Sequence, residues 1–313
     1  MQSLLDEFIM KLSVKTLPNN RNYKGEIFHY TALRNIEPIL LNSCNQIVLW
    51  ASQFDCLNDM SEGTIVEECY REVCRSLKAD NQISETLYNL LSSIKLSRNE
   101  TFLVSQNGNV KAYRGEYTTY IASFSKNNDL LPMWNYYSKG DMFEGINLGL
   151  DSEKILSSFP TFFADGKIQV SINSVVYDPE EQQQIIREFL LDIIEKYEEK
   201  HESSVRAIVS TKLTSWKMLF KQKCFSHEQE VRIIVKIANK WNGVLPVKFR
   251  TTAGYIVPYI ELKIDKSALK SVTFGPFRGT ESQIGLQKKT LSQMLTSNQY
   301  RANINVSKVP VRY

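Results

Sequence analysis

The stretch from Glu228 to Ala238, EQEVRIIVKIA, constrains this chain more than any other. Its later residues, Val231, Ile233, Ile234, Val235 and Ile237, are β-branched and read as a strand buried in a sheet. Its first residues are charged. Residues two apart on a strand share a face, so Glu228, Glu230 and Arg232 are expected to form a row of two carboxylates and a guanidinium at the mouth of that strand. Carboxylates about 7 Å apart along one face repel each other, which raises the affinity of at least one for a proton, a cation or a sugar hydroxyl. The plainer reading of the same residues is a solvated strand edge laced by Arg232.

The rest of the chain supplies neighbours for such a strand. IFHYT (27–31), IVLWAS (47–52), TTYIASFS (118–125), INLGLD and IQVSINSVVY read as strands, as do short stretches near 256–262, 271–274 and 303–307. Helical periodicity marks ALRNIEPILLN, then TIVEECYREVCRSL with Ile65, Val66, Cys69, Val73 and Leu77 inward, and a further helix over 81–100. It recurs at 180–199, where Ile185, Ile186, Phe189, Leu190, Ile193 and Ile194 make the apolar stripe, and near 205–221 and 281–295. Segment 104–117 reads as a loop or hairpin, and the aromatic stretch from Lys126 to Gly145 as irregular chain. Strands and helices alternate without a regular βαβ rhythm, which predicts an α+β fold with a mixed or antiparallel sheet. With no repeat and no Pro/Ser linker, residues 1–313 read as one domain carrying helical insertions at about 61–100 and 180–222.

Composition excludes several classes. Hydrophobic residues make up 42% of the chain and the net charge is only +4, which suits a packed protein and no polybasic tail. No run of about 18 apolar residues occurs, so no membrane span is expected. The opening MQSLLDEFIMKLSVK has acidic Asp6 and Glu7 and no basic start, unlike a secretory leader. Five cysteines, 44, 56, 69, 74 and 224, without a C-x-x-C pair predict reduced cytoplasmic thiols. His29, His201 and His227 fall at no metal-ligand spacing, so no metal is expected. Neither G-x-x-x-x-G-K-[ST] nor G-x-S-x-G is present.

Two further groups are candidates. His29, Tyr30 and Thr31 end the first predicted strand, where a lone His is more often a hydrogen-bonding or core residue than a catalyst. Ser123, Phe124 and Ser125 precede Trp134, Tyr136 and Tyr137, aromatics that pack a core or stack a planar ring. Asn58, Asp59 and Glu62 read most economically as a helix cap. Lys212, Lys217, Lys221 and Lys223 form a loose basic cluster compatible with phosphate contacts or a solvated face.

In order, F-H-Y-T, L-W-A-S-x-F-x-x-x-N-D-x-x-E, S-F-S with L-P-M-W-x-x-Y, E-x-E-x-R, V-P-Y-I, F-G-P and S-x-x-P-x-R resemble a widespread bacterial family of uncharacterised domains. The pattern runs from residue 28 to 312, with Met60 in place of the usual Pro and Val311 in place of the usual Tyr. That family is similar to the ADP-ribosyltransferases of toxin–antitoxin and phage-defence systems. The resemblance implies a split sheet and an NAD-binding cleft, with NAD as substrate. It implies His29 on a ribose hydroxyl, the backbone around Tyr30 and Thr31 on the nicotinamide amide, and Ser123 or Ser125 beside the ribose. Tyr137 or Trp134 would be the stacking ring and Arg232 a pyrophosphate contact. Glu230 would be the essential carboxylate and Glu228 the residue that activates the acceptor. The implied acceptor is a macromolecule, nucleic acid first and RNA ahead of DNA, with an antitoxin protein as partner. An NAD glycohydrolase, a protein-directed transferase and a non-catalytic binding module are the alternatives.

Overall fold

The computed structural model describes residues 2–13, 23–57, 64–96, 99–106, 109–137, 145–159, 168–241, 243, 245–252, 254–276 and 279–310. Strands β1 (Glu26–Ala32), β2 (Ile47–Gln53), β3 (Asn99–Gln106), β4 (Asn109–Ser125), β5 (Gly145–Asp151), β6 (Ile168–Ser174), β7 (Glu230–Ala238), β8 (Lys248–Thr252), β9 (Tyr255–Ile264), β10 (Leu269–Phe274) and β11 (Asn303–Val306) join in one sheet. Its pairings are antiparallel except β10 with β11, so the expected α+β class with a mixed sheet is what forms.

The sheet branches at β4. One edge of this 17-residue strand carries β7 from Tyr117↔Ala238 to Ser125↔Glu230, and β7 is followed by β6. Since β7 fills that edge, β1 and β2 both meet the other one. β1 pairs at Phe28↔Ser125, and β2 at Ser52↔Ile121 and Gln53↔Tyr120. The two then diverge, β1 leading to β5, β10 and β11, and β2 to β9 and β8. Ser123 stands at the fork between them.

Strand alternation sends one face of both arms into a shared core. Val231, Ile233, Val235 and Ile237 of β7 meet Tyr120, Ala122 and Phe124 of β4, Leu49 and Ala51 of β2, Ile260 and Leu262 of β9, and Leu148 and Leu150 of β5. On the other face, helices α1 (Gln2–Lys11), α3 (Thr64–Ala79), α4 (Glu85–Ser92), α7 (Pro179–Lys196) and α8 (Glu202–Lys217) build a second core around Phe8, Leu77, Leu91, Phe189 and Val209, while α2 (Ile36–Leu40) packs into the sheet core. The two segments read as helical insertions therefore pack on each other. Met218, just past α8, lies on Ile121 and Ile234 and ties this layer to the outer face of β4 and β7. Helix α5 (Leu131–Tyr137) covers β1 through Met133 and Trp134 against Phe28 and Tyr30.

The helix expected over 81–100 is shorter, with α4 ending at Ser92 and β3 starting at Asn99. Segment 104–117 resolves as a hairpin rather than a loop. Helix α5 lies in the stretch read as irregular, its six-residue neighbour α6 (Ser152–Ser157) and edge strand β8 being too short to show periodicity. The cap assigned to Asn58, Asp59 and Glu62 falls outside the described residues. No helix of the described residues is long and apolar enough to cross a membrane.

Candidate active site

β7 begins at Glu230, two residues later than the charged row requires. Residues Lys223–Glu228 form a 3-10 turn, and Gln229 takes a left-handed conformation (φ 45°) that closes it. A chain bent this way cannot keep Glu228 on the strand. The two carboxylates nonetheless converge, because Lys221 reaches both: Nζ donates to Glu228 Oε2 at 2.7 Å and to Glu230 Oε2 at 3.4 Å.

Glu230 and Arg232 are enclosed rather than solvated, at 5% and 2% exposure. Arg232 binds the carboxylate with both sides of its fork, Nε to Oε1 and Nη2 to Oε2, each at 2.9 Å. Its Nη1 donates to the Met218 carbonyl at 2.7 Å. This two-point, charge-assisted pairing is the strong form of the contact. Burial pushes the Glu230 carboxyl up, but the Arg232 charge and its hydrogen bonds, Lys221 and the Ser123 hydroxyl outweigh it, and the group is held below the usual carboxylate range. Of the affinities expected for at least one of the two carboxylates, a proton, a cation or a sugar hydroxyl, Glu230 shows that for cations, since Arg232 and Lys221 both contact it.

Register places the remaining groups. Directly paired residues share a face, so Ser123 with Arg232 and Ser125 with Glu230 lie on the outer side of the sheet. Ser125 is buried, its hydroxyl donating to the Glu228 carbonyl at 2.8 Å and accepting from Asn127 N at 3.2 Å, which pins the turn to β4. Ser123 is exposed. Tyr177 accepts from the Glu230 amide at 2.9 Å. Tyr137 closes α5 at 43% exposure. Partial burial and the charges of Glu228 and Glu230 raise its phenol pKa. Tyr136 bonds His227 Nε2 at 3.1 Å on the same rim.

His29 does not join this group. It shares the core-facing side of β1 with Ile27, its ring 5.6 Å from that of Phe124. Burial pulls its pKa down to about 4 against a smaller upward pull from the Ser123 backbone, and Nδ1 is enclosed without a partner. It meets the fork from the side opposite Glu230. Tyr30 is on the outer side, but its hydroxyl donates to the Asn127 carbonyl at 2.8 Å and accepts from Leu130 N at 3.0 Å, and burial raises it to about 12. Thr31 accepts from Asn35 at 2.7 Å. Trp134 is fully buried, edge-on to Tyr30 with its Nε1 on Asp129. An enclosed indole has no face to offer a ligand, so of the two aromatics proposed for stacking only Tyr137 is open. Arg232 likewise has its fork occupied by Glu230 and is not free for a pyrophosphate.

Two cavities have neither Glu228 nor Glu230 in their walls. One of about 600 Å³, lined by Asp55, Thr119, Lys217 and Met218, adjoins the cluster through Met218. The other, of about 350 Å³, is lined by Phe159, Leu245, Pro246 and Leu262.

Lys221 and Tyr177 were not among the expected site residues. Lys221 was legible only as one of several scattered cations, and Tyr177 carried no signal because its contact is to a backbone amide.

Residues 133–233 match the family model described as protein of unknown function (DUF2971). The matched stretch holds Trp134, Tyr137, Tyr177, Lys221, Glu228, Glu230 and Arg232, and leaves out His29 and Ser123. It agrees with the resemblance to an uncharacterised family. No curated protein matches the chain.

Proposed function

We propose that the outer face around Glu230 is the site of an NAD-dependent mono-ADP-ribosyltransferase acting on a macromolecule, RNA before DNA, in a bacterial toxin–antitoxin or phage-defence setting. The observation that carries this reading is a buried carboxylate held ionised by Arg232 and Lys221 beside an exposed hydroxyl, Ser123, and a half-open aromatic ring, Tyr137. The fork in the sheet at Ser123 agrees with the split sheet of that enzyme class.

Breaking the bond between nicotinamide and ribose leaves an oxocarbenium-like centre, and a preorganised anion stabilises charge that exists only in the transition state. Glu230 has that role. Its partners hold it in one rotamer, so little reorganisation is needed. Glu228, the more open carboxylate at 20% side-chain exposure, takes the proton of the incoming nucleophile. NAD suits the open groups present: Tyr137 for the planar ring and the Ser123 hydroxyl for the ribose. His29 lies beneath the fork, on the side of the sheet opposite Glu230, as a positioning residue. An antitoxin would silence the enzyme by covering this face.

The test is nicotinamide release from NAD by wild type and Glu230→Gln, with and without total cellular RNA, with thermal unfolding read on both. Release that needs Glu230 and rises with RNA supports the proposal. Release indifferent to RNA turns it toward NAD hydrolysis or a protein acceptor. No release from folded wild type overturns it in favour of the second reading, a non-catalytic binding module. That reading draws on the saturation of Glu230, both of whose oxygens already have cationic partners.

A further inference from the structure

β2 and β9 carry an aromatic surface that the site above does not use. Trp50 is 45% exposed although it sits mid-strand. Its ring lies 4.5 Å from that of Tyr259, and the Arg250 guanidinium is 5.8 Å from the Trp50 centroid. Arg250 donates from Nη2 to Ser52 Oγ at 2.9 Å, and its Nε has no acceptor. Trp50 lies opposite Glu261, Ser52 opposite Tyr259, and Arg250 opposite Val257, so all share one face. Lys248 and Lys263 join them there. Glu261 is the one carboxylate that β2, β8 and β9 carry, and Lys248 neutralises it at 2.6 Å. Tyr255, 72% exposed, extends the surface along β9 toward the free edge of β8.

The face is also the one on which Glu230 lies. Ser52 pairs with Ile121, and Ser123 is one alternation further along β4, about 7 Å. Ile121 between them is buried under Met218, so the aromatic surface is set apart from the carboxylates.

We infer that Trp50, in ring contact with Tyr259 and flanked by Arg250, forms a stacking site for single-stranded RNA on the outer face of β2, β9 and β8. A half-open indole with an adjacent guanidinium accepts unpaired bases of any sequence, and the surplus of cations suits the phosphates between them. RNA is the occupant because its loops and single strands present splayed bases for such stacking. A duplex keeps its bases stacked on one another and cannot use the rings. The inference does not need transfer to occur, because binding is measured without NAD.

The experiment is fluorescence anisotropy of a labelled twelve-residue oligouridylate with wild type, Trp50→Ala, Trp50→Phe and Arg250→Gln, each checked by thermal unfolding. Wild type is expected to bind the single strand, Trp50→Ala to weaken it about tenfold or more, and Trp50→Phe to keep most of the affinity. Arg250→Gln is expected to weaken binding and flatten its salt dependence. Absence of binding, affinity unchanged in Trp50→Ala, preference for the RNA duplex, or preference for the matching deoxy strand overturns the assignment. So does a concentration-dependent dimer that Trp50→Ala abolishes, which would make this face a contact between two copies. Binding without nicotinamide release separates failure of the transferase reading from failure of this one.

Discussion

Arg232 and Glu230 show how costly half of a buried ion pair is. Arg232→Met leaves Glu230 enclosed with only Lys221 as cation, and the expected loss is about 3–5 kcal/mol of unfolding free energy. Adding Glu230→Met to the same chain should recover a good part of it, since a well-packed apolar pair avoids the desolvation of both charges. Urea unfolding of the single and double variants reads both effects. The acid side of stability separates two residues by pH. His29 is held neutral, its pKa lowered by burial from 6.5 to about 4, so its contribution is complete above pH 6.5 and lost as pH falls toward 4. His29→Gln is expected to flatten unfolding free energy across that window. The Glu230 carboxyl is depressed below 4.5, so its contribution is present above pH 4.5 and lost only below it. A pH series on wild type, His29→Gln and Glu230→Gln distinguishes the two, and equal slopes between pH 6.5 and 4.5 in wild type and His29→Gln would contradict the assignment.

At the scale of elements, the arm that starts at β1 depends on a close approach over Gly149. Ser271 Oγ donates to Glu26 Oε1 at 2.7 Å across this glycine, and a Cβ there would stand 2.1 Å from the first and 2.2 Å from the second. Gly149→Ala is expected to break that bond and cost about 1–3 kcal/mol, measured as a fall in urea midpoint at constant slope. Elements with long, strong periodicity were legible in the sequence. Helices α3, α7, α8 and α9 (Glu281–Ser297) and strands β1, β2, β5, β6 and β7 lie close to where their apolar spacing puts them. Of the short ones, β11 was read near 303–307, but α5, α6 and β8 were not, because so few residues hardly repeat a period. The start of β7 was misread for a different reason. Glu228, Glu230 and Arg232 have the spacing of a strand face, and only the left-handed Gln229 breaks it.

For the whole molecule, β7 is the strand on which both cores depend. All nine of its residues are buried, it is paired on both edges, and it lies between the sheet core and the helical layer. Its amides from Val231 to Ala238 are expected to exchange last, only through global unfolding, while those of edge strand β8 exchange early. Hydrogen exchange followed by mass spectrometry checks the order, and early exchange in β7 would contradict this account. The amino-acid sequence by itself determined the α+β class, the buried strand after Glu228 and the residue types of the candidate site, because apolar periodicity and charge are local properties of the chain. Only the tertiary structure decided that Lys221 joins Glu230, that Trp134 is sealed while Tyr137 is open, and that His29 meets the fork from the opposite side. Those outcomes depend on which strands pair and in what register, and a shift of one residue in register moves a side chain to the other face.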